Sequence, residues 1–269
     1  MATIRLRIAG FLAAFLVAVP AHAASIASYQ AVFDLGLGTS ARSSGVAALD
    51  GRLVLEWRDT CEGYIFAQRI RTEMIMYEGG PIINDYIVSS LESRDGRRFR
   101  FSLKHVVNDA EVDLHRGVAE KGRAGEPGVV GFTSPADTEI ALPKDVIFPS
   151  EHNLILARQA IAGERVVSAM VFDGSGAEGL NNTVAFIGRE LPAVAAGDNR
   201  YAAVAGQRSW PVRLAYFQTG TKQKQSVPVY EVGFRLFESG VPGDLSLEYP
   251  EYSIIGRLRT LKILPSPDC

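Results

Sequence analysis

Apolar residues recur at every second position in short runs along most of the chain, and Gly, Pro and Asp interrupt those runs at short intervals. Tyr29, Ala31, Phe33 and Leu35 alternate in this way, as a strand with one buried face requires. Residues 46–49 and 53–57 flank Asp50-Gly51, which predicts a hairpin closed by a type I′ turn. A second turn, Asp95-Gly96, precedes Phe99, Phe101 and Leu103, which alternate with Arg98, Arg100, Ser102 and Lys104. Similar runs occupy 65–76, 82–91, 128–133, 166–172, 183–187, 212–217, 229–237, 245–249 and 258–264. Gly79-Gly80-Pro81, Asp173-Gly174, Gly220 and Pro242-Gly243 supply turn signals between them. Many short strands at this spacing predict a mainly β, antiparallel sandwich or barrel. No internal repeat or linker composition divides it.

One segment has a different period. FPSEHNLILARQAIAGE (148–164) predicts a helix, with Ser150 as N-cap, Glu151 in the first turn and Gly163 as the stop. At 100° per residue, Leu154, Leu156, Ala157, Ala160 and Ile161 share one side, and Glu151, His152, Arg158 and Gln159 the other. Ile155 breaks the pattern. The expectation is an amphipathic helix whose apolar side covers a groove in the sheet, with His152 solvated or capping.

The first 23 residues read as a secretory leader. Arg5 and Arg7 precede an apolar run over 8–19, and Ala21-His22-Ala23 offers a small-x-small cleavage site. Cleavage leaves residues 24–269 as one β-rich, exported domain. No Cys follows the cut to carry a lipid anchor, and no later apolar stretch has the length of a membrane span. A net charge of −2 and a pI near 6.1 exclude the concentrated basic face of a nucleic-acid binder. In an oxidising compartment the two cysteines, Cys61 and Cys269, suggest one structural disulfide. Two unrelated thiols are the alternative.

Chemistry is scarce. Asp109, Glu111, Asp113 and His115 alternate along 108–115, and three carboxylates with an imidazole could hold a cation. The simpler reading is the solvent face of a strand whose Ala110, Val112 and Leu114 turn inward; the spacing is not that of a calcium loop. Asp173-Gly174-Ser175-Gly176 lacks the Gly that a nucleophile elbow needs two residues before Ser, so it reads as a turn. Asn181-Asn182-Thr183 is a glycosylation sequon, relevant only in a eukaryotic secretory pathway. HExxH, P-loop and GxGxxG motifs are absent, and His105 and His115 have no ligand spacing around them. No catalytic, cofactor-binding or metal-ligating residue is nominated.

WRDTCEGY (57–64), the 148–164 helix with its Phe148-Pro149 start, VFDGSG (171–176) and PEYSIIGRLRTLKILPSPDC (250–269) together resemble the cell envelope integrity protein B (EipB) family. The resemblance runs over essentially the whole mature chain. It implies a periplasmic protein of Gram-negative bacteria, built as an open, spiral-like β-barrel of many strands with one helix packed on it. It also implies an architecture similar to periplasmic carriers and sensors of lipoproteins, a role in envelope integrity, no assigned catalysis, and one internal disulfide at the positions of Cys61 and Cys269. The functional expectation is a non-enzymatic factor, favoured as a monomer, that binds an apolar ligand (a lipid or lipoprotein acyl chain) or an extended envelope protein. The alternatives are a scaffold that binds envelope proteins on a sheet edge and, less favoured, a hydrolase using carboxylates around Asp109, Glu111 and Asp113. No cofactor is expected.

Overall fold

The computed structural model describes residues 26–136, 138–195, 197–219 and 227–267. Fifteen strands form one continuous sheet. β1 (Tyr29–Ser40), β2 (Val46–Asp59), β3 (Gly63–Met76), β4 (Ile82–Ser93), β5 (Arg98–Val107), β6 (Ala110–Glu120), β7 (Gly128–Ser134) and β8 (Thr138–Leu142) make an antiparallel meander. β9 (Val146–Ile147) pairs in parallel with β10 (Val166–Phe172), the two being joined by helix α1 (Pro149–Ala162). A second meander follows through β11 (Leu180–Ile187), β12 (Ser209–Gln218), β13 (Tyr230–Phe237), β14 (Pro242–Glu248) and β15 (Tyr252–Ile263). β15 then pairs with β1, Ile263 opposite Tyr29 and Tyr252 opposite Ser40. The sheet is therefore a barrel closed everywhere except at a seam between β8 and β9, its two edge strands.

The alternation read from the sequence is the inward face of this barrel. Tyr29, Ala31, Phe33 and Leu35 are buried, as are Phe99 and Phe101. One core cluster gathers β1, β2, β14 and β15 residues such as Phe33, Trp57 and Leu258. A second, around Phe99, Phe101, Phe132, Phe148 and Phe172, fills the seam side with stacked and edge-on rings.

Two expected turns are strand interior. Asp50-Gly51 lies within β2, because both neighbours keep pairing through it: Gly51 faces Leu35 on one side and Thr72 on the other. A Cβ on Gly51 would come within 2.4 Å of the Arg71 carbonyl oxygen, so this glycine serves close strand approach rather than reversal. Pro242-Gly243 likewise begins β14, and the reversal is made by Gly240 at φ +76. Gly220 lies outside the described residues, as do the leader (1–23) and Cys269. The Asp95-Gly96 turn stands as expected, with Gly96 at φ +66.

Helix α1 floors one end of the barrel. Strand register places its neighbours there: Trp57 near the end of β2, Glu92 near the end of β4, and Trp210 near the start of β12. Its N-cap is Phe148 rather than Ser150, with Pro149 in the first turn and no cap from its own side chains. The cap comes from across the barrel. Glu92, 1% exposed, accepts the backbone N–H of Ser150 at 2.8 Å and of Glu151 at 2.9 Å. A carboxylate there meets both orphan donors and the positive end of the helix dipole.

His152 is 3% exposed, which corrects the expected solvated position. Because α1 crosses the barrel end, more than one of its sides is covered: Leu154 packs on the first cluster and Leu156 with Ala160 on a third around Trp210 and Leu236. Ala157 is buried as expected, and Ile161 is half-buried. The His152 Nε2 lies 3.3 Å from Thr183 Oγ1, which donates to the Ala169 carbonyl. Burial lowers the His152 pKa to about 4, so the ring is neutral at pH 7.

Burial raises the Glu92 carboxyl from 4.5 to about 7, against the two N–H donors that favour its charge. The folded state thus holds a proton that the unfolded chain gives up above pH 4.5. The associated stability is complete below that pH and is lost as pH rises through about 7. Compared with Glu92→Gln, which cannot ionise, the wild type should lose about 3 kcal/mol between pH 4.5 and 7.5. Urea unfolding of both proteins across this range measures it; a pH-independent difference would refute the assignment.

Candidate functional site: the barrel lumen

The lumen holds two adjoining chambers. One, of about 390 Å³, is bounded by Leu55, Ile70, Val232, Phe234 and Leu247 from the wall and by Leu156 from the helix floor. The other, of about 540 Å³, is bounded by Gln68, Ser90, Asn181, Gln218 and the 173–178 turn. Phe66, Gln68, Tyr216 and Tyr230 line both. Apolar and polar side chains line both, so the lumen as a whole is amphipathic. Both volumes fall in the range of ligand pockets.

Register sets where the polar side chains enter the lumen. Inward positions on β12 run Val212, Leu214, Tyr216 and Gln218, from apolar near the floor to polar at the far end. Those on β11 run in the opposite chain direction but the same spatial order, Ile187, Ala185, Thr183 and Asn181. On β3, Gln68 interrupts Phe66 and Ile70. Polar side chains at positions whose parity is otherwise apolar were the signal in the sequence, and the strand reading passed over it.

Tyr216 and Tyr230 stack with ring centres 4.4 Å apart, and the row continues through Tyr249 to Tyr252. Burial pushes the hydroxyls of Tyr216 and Tyr230 well up, so both stay protonated donors. The Asp173 Oδ1 accepts the Ser175 backbone N–H at 2.9 Å and its hydroxyl at 2.6 Å. Burial raises this carboxyl too, with the Ser175 bonds opposing. Gly174 (φ +80) and Gly176 (φ +107) let the turn lie over Phe101 and His115, where a side chain at either would collide with those rings. The expected turn at 173–176 is therefore present, and it roofs part of the larger chamber.

The acidic strand of the sequence reading does not converge. Asp109 sits in the β5–β6 turn at φ +66, and Glu111 pairs with Lys104 at 2.8 Å. A bulge beside His105 shifts the register there. Ala110 and Val112 are consequently exposed rather than inward, and Leu114 is half-buried. Asp113 and His115 instead share the inward side with His105, whose ring stacks on Tyr86 at 3.8 Å. His105 approaches Asp113 at 3.7 Å and His115 approaches it at 4.0 Å. Cys61 lies in the β2–β3 turn.

Fold and lumen together define a class: a single-sheet barrel with one unsealed seam, a helix across one end, and an amphipathic interior. A family model for EipB-like proteins matches residues 20–265. The chain belongs to the EipB-like family. Cell envelope integrity protein EipB of Brucella abortus (strain 2308) is 30% identical over 259 residues, covering 95% of this chain and 89% of that protein. A crystal structure of a β-barrel-like protein, a domain of unknown function from Brucella abortus, matches with a TM-score of 0.82 at 27% identity. That match covers 90% of this chain and 100% of the other. Among the described residues no helix is long and apolar enough to cross a membrane.

Proposed function

We propose that this protein is exported through a cleaved leader to the periplasm of a Gram-negative bacterium, where it supports envelope integrity without catalysis by holding an amphiphile in its lumen. The envelope role rests on the kinship with EipB. The amphiphile rests on one observation: two adjoining chambers of about 390 and 540 Å³ inside the barrel, joined through Phe66, Gln68, Tyr216 and Tyr230 and lined by apolar and polar side chains together. Water against the apolar part of that lining is unfavourable, and an acyl chain would displace it while a polar head reaches the amides and hydroxyls beside it. The scaffold alternative is weaker, because the seam exposes only five residues of β8 and two of β9, little backbone for an added strand.

A fluorescent monoacylglycerol, single-chained and neutral, tests the reading. Saturable binding with a rise in Tm is expected, equivalent to about 2.7 kcal/mol at a free concentration one hundred times Kd. Absence of both binding and Tm shift across chain lengths would overturn it.

A further inference from the structure

The outer wall of the barrel carries a concavity of its own. A groove of about 540 Å³ crosses β3 to β7. Its side chains come from outward positions, and register sets them in two rows. Ile65, Leu91, Arg100 and Val118 face one another in turn across β3, β4, β5 and β6, and Ser89, Ser102 and Arg116 form the row beside them. Ile65 is 39% exposed, so hydrocarbon meets water on this wall. The two arginines stand out by their surroundings. Every other Lys or Arg on β2 to β6 lies 3.6 Å or less from a carboxylate, including Arg98 with Glu120 and Lys104 with Glu111 on the same face. Arg100 and Arg116 have no ion pair among the described residues, and both line the groove.

We propose that this groove binds an extended, acidic segment of a partner protein, with carboxylates at alternate residues on Arg100 and Arg116 and an apolar side chain against Ile65 and Leu91. The proposal is independent of what the lumen holds. Spacing selects the partner. Arg100 faces Val118 and Arg116 faces Ser102, so the two arginines are diagonal neighbours on adjacent strands, about 7–8 Å apart. In an extended chain, residues two apart share a face and stand about 7 Å from each other. An acidic-x-acidic segment therefore presents one carboxylate to each guanidinium, whereas a single phosphate group cannot span both. Each planar fork can take a carboxylate bidentately. Arg116 Nε lies 3.4 Å from Ser102 Oγ, which leaves its terminal nitrogens for a ligand. Like charges placed side by side repel, and a dianionic segment removes that repulsion. The Ser89 and Thr133 hydroxyls, both at exposed lining positions, can donate to or accept from the segment's backbone. The apolar row gives a flanking leucine a place out of water.

Three fluorescent peptides test it against the folded, full mature protein at pH 7.5: acetyl-LESEL-amide, its neutral analogue acetyl-LQSQL-amide, and acetyl-LEESL-amide, whose adjacent acids point to opposite faces. The first should bind at least fivefold more tightly than the second and threefold more tightly than the third in dilute buffer. Added salt should narrow both margins, because exposed charges are screened. The double variant Arg100→Gln/Arg116→Gln changes two exposed side chains. It should keep the wild-type Tm and the monoacylglycerol binding of the lumen, yet bind all three peptides equally. Asp137, between β7 and β8, lies outside the described residues. Asp137→Asn should leave the LESEL affinity within threefold, and a larger gain would show that the chain itself neutralises the groove, which overturns the proposal. Equal binding of LESEL and LQSQL, or an unchanged preference in the double variant, also overturns it. Equal binding of LEESL and LESEL overturns the alternate spacing. Binding to phosphatidylglycerol vesicles that the double variant loses, without any peptide preference, assigns the arginines to a lipid surface and overturns the protein partner.

Discussion

Leu156→Ala is expected to cost about 2–5 kcal/mol, the range for truncating a buried leucine that leaves a cavity. Leu156 is 1% exposed and packs with Ala160 against Trp210 and Leu236, while its other side forms part of the lumen floor. For a domain of this size that corresponds to a fall in Tm of roughly 5–15 °C. Asp at the same position should do more, since an unpaired charge would replace hydrocarbon packed against Trp210 and Leu236. Ile161→Asp should do less, because Ile161 is half-buried and water reaches its edge. Asn153→Ala, one turn earlier at an exposed position bordering the same chamber, should change stability by no more than about 0.5 kcal/mol. Thermal and urea unfolding of these four variants checks the series. A Leu156→Ala protein as stable as the wild type would mean that the helix does not carry the barrel end.

Cys61→Ser is expected to lower stability by about 2–5 kcal/mol, the cost of removing a native disulfide, on the proposal that Cys61 and Cys269 are bridged. Chain reach permits the bridge. Ile263 pairs with Tyr29, which pairs with Trp57, so the end of β15 lies two strand spacings, about 10 Å, from the end of β2. The six residues from Ile263 to Cys269 can span roughly 20 Å. The loop closed would hold about 200 residues, for which the chain-entropy model gives about 5 kcal/mol. The bridge would tie the β1–β15 pairing to the β2–β3 turn and keep the barrel from unrolling at its chain termini. Non-reducing peptide mapping should find Cys61 joined to Cys269. Two titratable thiols per native chain would reject the bridge, and an unchanged Tm under reductant would remove its energetic role.

Strand identity was legible because its cause is local. A side chain's face is set by a two-residue period, and burying one face imposes alternation on nearly every segment, from Tyr29–Leu35 to the inward run ending at Leu258. The helix was legible for the same reason, since its 3.6-residue period and Gly163 stop are written in 17 consecutive residues. Features that depend on a second segment were not. Asp50-Gly51 carries a turn signature, yet β1 and β3 pair through it, and ladder bonds on both sides outweigh a local preference. His152 sits on the polar side of its own wheel, and only α1's position across the barrel end covers that side as well. Glu92 lies 58 positions from the helix it caps, so no inspection of either segment joins them.

The sequence alone therefore determined that the chain is a β protein with one amphipathic helix, which residues share a face on strands without a bulge, and, through motif likeness, the family to which it belongs. Periodicity assigns a face but not its curvature. Whether those faces would form a flat sheet, a sandwich or an enclosed lumen was decided by tertiary structure, where β15 pairs with β1 and α1 crosses one end. That closure turns Gln68, Asn181 and Gln218 from scattered polar residues into one chamber. It also brings Asp173 near the stacked Tyr216–Tyr230 pair, because these groups come from strands and a turn that only the closed barrel makes neighbours.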